Sequence, residues 1–328
     1  MGGSGGPSCS GPLGQAMPTA GASRGSAVAT QHQLRGLLGG LLERYWVRTP
    51  TAGRVFTSVE AECRRRGVGE GAALNATGEG WGDHFALRSF ASEGCGIDAA
   101  AAPLEALGYE RRERLNFPGK CLQAFWFSPP GGPGRGLPRV FISELEVERL
   151  SDGAQAILQR YLERAVGAPG GPLLWSAAGA LPWGAVDFKD YEALAAESEY
   201  AAWTLVNGYA VNHATVPVHR LREAFPGGIE PFAAFLEAEG FTLNCAGGAV
   251  KASPDGLLLQ GSTMADSVPH VFADGVERAV PGAFIEFAER LVLPEFSHLP
   301  TGEVKETHRR DGFEAANADK IFESTGAQ

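Results

Sequence analysis

DHFALRSF, Asp83 to Phe90, reads as a strand, and the order of elements behind it decides the fold. A helix follows from Asp98 to Leu107, then strands near Tyr109 to Leu115, Cys121 to Ser128 and Arg139 to Leu145. The same order returns later: a strand at Tyr209 to His219, a helix at Glu230 to Glu239, and strands near Phe241, Val250, Leu257 to Thr263 and Ala283 to Arg290. Letters echo too, D-H-F-A at Asp83 against N-H-A-T at Asn212, and F-I-S at Phe141 against F-I-E at Phe284. An internal duplication is the economical explanation. The fold class predicted is α+β, two βαβββ modules forming a cupped mixed sheet with additional helices.

Outside the modules, residues 1–31 are Gly, Ser, Ala and Pro with little to bury, and are expected to be a disordered tail. Residues 32–166 then hold N-terminal helices and the first module, 167–208 a linker and helix, and 209–328 the second module and C-terminal segment. Leu34, Leu37, Leu38, Leu41, Leu42 and Tyr45 mark one helix face, and a second helix is expected over Ser58 to Arg66.

The 328 residues carry a net charge of −10, which argues against a nucleic-acid surface or an anionic membrane as partner while leaving room for a local basic pocket. No apolar stretch approaches the roughly 18 to 20 residues that span a bilayer, and no signal peptide opens the chain. Five widely spaced cysteines without a C-x-x-C pair read as reduced thiols. The chain is therefore expected to be soluble and intracellular. The first acidic residue is Glu43, and an acid-free, Ser/Ala-rich start is one mark of a transit peptide, so cytoplasm and plastid stroma both stay open.

Two of the seven histidines fall at matching places in the two halves, His84 and His213. Where the two cups meet, four inward positions face one another, and the letter echo assigns them to His84, Ser143, His213 and Glu286. Two imidazoles and one carboxylate leave three coordination sites open, which suits Fe(II) that must bind substrate and dioxygen together. Ser143 is a poor ligand; glyoxalase-like isomerases fill all four corners, so the gap favours an oxygenase. His219, six residues beyond His213, lies ~20 Å further along a strand and cannot share the ion. Arg88, on the face of His84 and ~13 Å along the strand, is placed to grip the far carboxylate of an elongated substrate, with Arg290 as a second candidate.

The segments WTLVNGYAVNHATVPVHRL (Trp203 to Leu221), LLLQGSTMAD (Leu257 to Asp266), FIEFAER (Phe284 to Arg290), DKIFEST (Asp319 to Thr325), GDHFALRSF (from Gly82) and LNFPGK (Leu115 to Lys120) resemble the 2-oxoadipate dioxygenase/decarboxylase family, its plant-type members above all. The resemblance implies a vicinal-oxygen-chelate fold, mononuclear Fe(II), and conversion of 2-oxoadipate, a small dicarboxylic 2-oxo acid, with O2 to 2-hydroxyglutarate and CO2 in lysine breakdown. It places the iron ligands on His84, His213 and Glu286, the substrate arginine on Arg88, and Ala316 and Asn317 of the C-terminal segment near the substrate. Some family members have Val-Ser at that pair. Two other readings are a metal-dependent glyoxalase-like isomerase or lyase, and a non-catalytic interaction protein.

Overall fold

A computed structural model describes residues 1–2, 20–68, 82–134, 136–166 and 168–326, with backbone alone for 20–31. Helix α1 spans Ala20–Arg48 and α2 Pro50–Arg65. Thus the backbone is already helical ahead of the boundary expected at residue 31, and residues 3–19 of the expected tail lie outside the described residues. Helix α2 begins well before Ser58, because Pro50 occupies its first turn, where a fixed φ and a missing N–H suit a helix start. Leu34, Leu38, Leu41 and Tyr45 of α1 are all buried, as their spacing predicts.

The first module follows as β1 (His84–Phe90), α3 (Ile97–Ala106), β2 (Glu110–Phe117), β3 (Leu122–Ser128) and β4 (Arg139–Leu145). Between the modules, residues 167–208 hold more helix than a linker needs: after α4 (Asp152–Val166) come α5 (Pro172–Ala178), α6 (Phe188–Glu197) and α7 (Glu199–Asn207). The second module is β5 (Val211–Pro217), α8 (Ile229–Ala238), β6 (Lys251–Ala252), β7 (Leu258–Ser262), an inserted hairpin β8 (Ser267–Val271) and β9 (Glu277–Pro281), and β10 (Phe284–Arg290). Helix α9 (Ala315–Ile321) runs into a 3-10 turn, Phe322–Thr325. The strand expected near Phe241 is reduced to a single bridge, Leu243 to Thr263.

One eight-stranded sheet joins the modules in the order β2-β3-β4-β1-β5-β10-β7-β6. Read outward from the β1/β5 junction, both halves repeat first strand, last strand, then the two middle strands. The duplication inferred from letters is therefore written in the topology. Strands β1 and β4 pair in parallel, as do β5 and β10, while β1 and β5 meet antiparallel. Gly82 allows that junction: a Cβ there would lie 2.2 Å from the Thr215 carbonyl oxygen. Strand periodicity divides the core. Phe85, Leu87, Ile285 and Phe287 pack on one face with α1, α2, α3 and α8, whereas Ala86, Phe90, Phe141 and Leu145 face the other side with α4, α6 and α7.

Candidate functional site

His84 and His213 stand on the concave face of β1 and β5, and Glu286 on β10 beside them. The Glu286 carboxylate lies 3.1 Å from His213 Nε2 and 3.5 Å from His84 Nε2. The two imidazole rings are perpendicular, with centroids 5.5 Å apart. All three side chains are buried, and one ligand atom from each lies within 4.8 Å of the others. Each ring is held from behind by its sequence neighbour. Nδ1 of His84 is 2.8 Å from Asp83 Oδ1, and Nδ1 of His213 is 3.1 Å from Asn212 Oδ1. With the Nδ1 proton donated to these oxygens, both Nε2 lone pairs turn to a common point, the arrangement that orients metal-binding histidines. Two such imidazoles and a carboxylate fit a first-row divalent ion.

Asp83 is itself anchored. Arg290 donates to it from Nε at 2.6 Å and Nη2 at 2.8 Å, and Arg139 stands 3.4 Å away. Burial alone would raise the Asp83 carboxyl, but the two guanidiniums hold it well below the usual carboxylate range. Glu286 accepts from Gln260 Nε2 at 2.8 Å, and Gln260 in turn accepts from Asn317. Burial raises Glu286 too, yet His84 and His213 carry it below its ordinary value. The histidines diverge. Burial lowers both, but Glu286 and Asp83 lift His84 above the ordinary range, whereas His213, further depressed by His84 and Arg88, falls to about 3.

The three side chains line one end of a cavity of about 20 Å³, space for about one water. Its walls are aromatic and aliphatic: Phe141 and Phe284 from the sheet, Phe313, Ile321 and Phe322 from the C-terminal segment. Phe313 sits edge-on to His84, with centroids 4.7 Å apart. Arg88 lines the same cavity, four residues along β1 and about 13 Å from His84. Its guanidinium lies 4.8 Å from the ring centroids of both Tyr200 and Trp203.

Several expectations need correction. Register pairs His84 with Arg139 and His213 with Phe284, so the position in the first module that matches Glu286 is Phe141, not Ser143. The F-I-S/F-I-E echo is two residues out of phase. Ser143 does line the cavity, but opposite Arg88, hydrogen-bonded to Tyr200 Oη at 2.9 Å. His219 is not on a strand: β5 ends at Pro217, and His219 sits in a 3-10 turn, paired with Glu306 at 3.1 Å. Arg290 is committed to Asp83 and to the Arg310 and Gly312 carbonyls, so it has no free edge for a substrate. Ala316 is on the exposed side of α9, and Asn317 lies behind Gln260; helical register brings Ala318, Ile321 and Phe322 to the cavity instead. Asp83 and Asn212 received no role from the sequence, although each stands next to its histidine at matching places, which was a usable signal. Glu199 and Gln260 offered none.

Modules related by a pseudo-two-fold axis in a curled sheet, closing on two imidazoles and a carboxylate, define the vicinal-oxygen-chelate class of proteins built around an ion. Comparison narrows the class. The sequence profile of the 2-oxoadipate dioxygenase/decarboxylase family matches residues 37–167 and 173–299. The chloroplastic/amyloplastic 2-oxoadipate dioxygenase/decarboxylase of rice, Oryza sativa subsp. japonica, is 52% identical over 250 residues, 74% of this chain and 68% of that one. The chloroplastic protein of the same name from Arabidopsis thaliana is 45% identical over 313 residues, 92% and 81% of the two chains. The crystal structure of hydroxyglutarate synthase from Oryza sativa in complex with 2-oxoadipate superposes with a TM-score of 0.78 at 41% identity, covering 97% of this chain and 98% of that one. The chain belongs to the 2-oxoadipate dioxygenase/decarboxylase family. No described helix is long and apolar enough to cross a membrane.

Proposed function

We propose that this protein is a plastid Fe(II) enzyme that converts 2-oxoadipate and O2 to 2-hydroxyglutarate and CO2, with His84, His213 and Glu286 as the iron ligands and Arg88 as the anchor of the distal carboxylate. The observation that carries this reading is the pairing, in one cavity, of a two-imidazole, one-carboxylate cluster with a buried arginine about 13 Å along the same strand. When bound, iron would supply chelation of the 2-oxo acid and activation of O2.

The chain supplies position. Asp83 and Asn212 keep both histidines in the tautomer that offers Nε2, and Gln260 fixes the Glu286 carboxylate. Arg88 pins the end of the substrate that does not react, so the oxo acid reaches the cluster in one orientation and the reaction becomes effectively intramolecular. Aromatic walls keep water away from the reacting carbons. The reaction balances without an outside reductant. One oxygen atom of O2 completes the new carboxylate at the former keto carbon, and the other becomes the hydroxyl on its neighbour as CO2 leaves.

The test is anaerobic loading with Fe(II), then simultaneous measurement of O2 uptake and CO2 release on adding 2-oxoadipate. Equal amounts of both, with 2-hydroxyglutarate formed, are expected. Conversion of an oxo acid without O2 uptake would replace the oxygenase with an isomerase or lyase.

A further inference from the structure

Two buried arginines of this chain are held in opposite ways. Arg290 meets Asp83 through two short contacts, 2.6 and 2.8 Å, and spends its remaining donors on carbonyls. Arg88 is just as buried, yet its Nη1 reaches the Glu199 carboxylate only at 3.2 and 3.3 Å, and its Nε has no partner. Nη2 donates to Thr325 at 2.7 Å. Among the described residues Glu199 is the one carboxylate within ion-pair distance of Arg88. A buried guanidinium needs a counterion, but this one is loose and has somewhere to go. The Glu199 side chain is 36% exposed and lines a separate outer pocket of about 300 Å³. Helix α7 carries the whole arrangement: Glu199 at its first residue, with Tyr200 and Trp203 as the rings over the guanidinium.

We infer that Glu199 is a built-in rival of the substrate for Arg88: it neutralises the guanidinium between turnovers, gives way to the distal carboxylate of the dicarboxylate, and reclaims the arginine as the dicarboxylate product leaves. This rests on the assignment of Arg88 above. A dicarboxylate must displace Glu199, whereas an oxo acid with an uncharged tail meets an arginine that is already paired. The rival thus lowers affinity for substrate and product alike and keeps product from lingering.

The test is equilibrium binding by calorimetry to the anaerobic ferrous protein, where no turnover occurs. In Glu199→Gln, and in Glu199→Asp, whose shorter side chain falls back from Arg88, 2-oxoadipate and 2-hydroxyglutarate should each bind about fivefold to tenfold more tightly. Binding of 2-oxohexanoate, of equal chain length without the distal charge, should weaken or stay level. Thermal unfolding verifies that each variant folds, and either variant suffices. Unchanged or weaker dicarboxylate binding in the variants overturns the rival role, weaker binding making Glu199 a support that positions Arg88. If the native protein neither binds nor turns over 2-oxoadipate, the functional assignment itself has failed, an outcome visible before any variant is made.

Discussion

The two modules place a histidine at the same point and support it by different means. In the first, His84 leans on a carboxylate, Asp83, locked between Arg290 and Arg139; in the second, His213 leans on a neutral amide, Asn212. The closing strands differ as well, since the second contributes Glu286 where the first has Phe141. Four residues beyond each histidine stand Arg88 and Pro217. One half therefore offers the carboxylate beside the ion, and the other offers the grip on the substrate. A symmetric scaffold yields a cavity with two unlike ends because each copy kept the histidine and diverged around it.

The largest effects should ignore that asymmetry. His84→Ala, His213→Ala and Glu286→Ala each remove one of three donors, so metal content measured by emission spectroscopy and O2 uptake should fall together, turnover by about a thousandfold or more. Stoichiometric iron with full activity in any of them would remove that residue from the cluster. Next in size, Arg88→Ala should raise KM for 2-oxoadipate about a hundredfold with iron still bound, because the arginine stands at the far end of the cavity. Equal loss of iron would show that the two ends are not separable.

Much of this was legible in the sequence, and its gaps have physical causes. His84, His213 and Glu286 could be chosen because each lies on a strand whose type is plain from composition, and those strands form where expected. Phase was harder. Phe141 and Ser143 point to the same face, so alternation cannot separate them, and only the pairing of β1 with β4 decides which faces the cluster. The β8–β9 hairpin leaves little signal in the sequence because its strands are largely exposed and offer no buried face to mark them. His219 was carried onto a strand that stops at Pro217. Glu199 is invisible in one dimension, reaching Arg88 across 111 residues.

The supports should separate the halves. Asp83→Asn leaves Arg290 and Arg139 buried without their shared counterion, which costs about 3 to 5 kcal/mol of stability, and weakens metal binding about tenfold to a hundredfold. Asn212→Ala removes one neutral hydrogen bond, so about 1 kcal/mol and about tenfold in metal affinity are expected. Chemical denaturation and metal titration measure both. The acid limb carries the same contrast. A carboxyl held well below its unfolded value contributes stability that is present above about pH 4 and drains away as pH falls towards the folded value. Wild-type protein should therefore lose stability on acidification below about pH 4 more steeply than Asp83→Asn, with Asn212→Ala following wild type. Equal losses in the two variants would mean that the charge on Asp83 is irrelevant to its task.

The smallest effect is a proton. In the metal-free protein His213 sits near 3 and is already neutral at any pH where the protein would be loaded, while His84, lifted by Glu286 and Asp83, keeps its proton above the ordinary histidine range. A divalent ion needs both Nε2 lone pairs, so loading near pH 6.5 should release more than half a proton per chain, taken from the first module and none from the second. Calorimetric titration of metal in two buffers of different ionisation enthalpy counts it. The direction of pH dependence follows: affinity rises as pH increases through the His84 value and is insensitive to His213. Since Asp83 helps to raise His84, Asp83→Asn should release less than wild type at the same pH, and Asn212→Ala should release the same. Release of two protons, or a count unmoved by Asp83→Asn, would mean that the two histidines titrate alike and that the difference between their supports ends at the backbone.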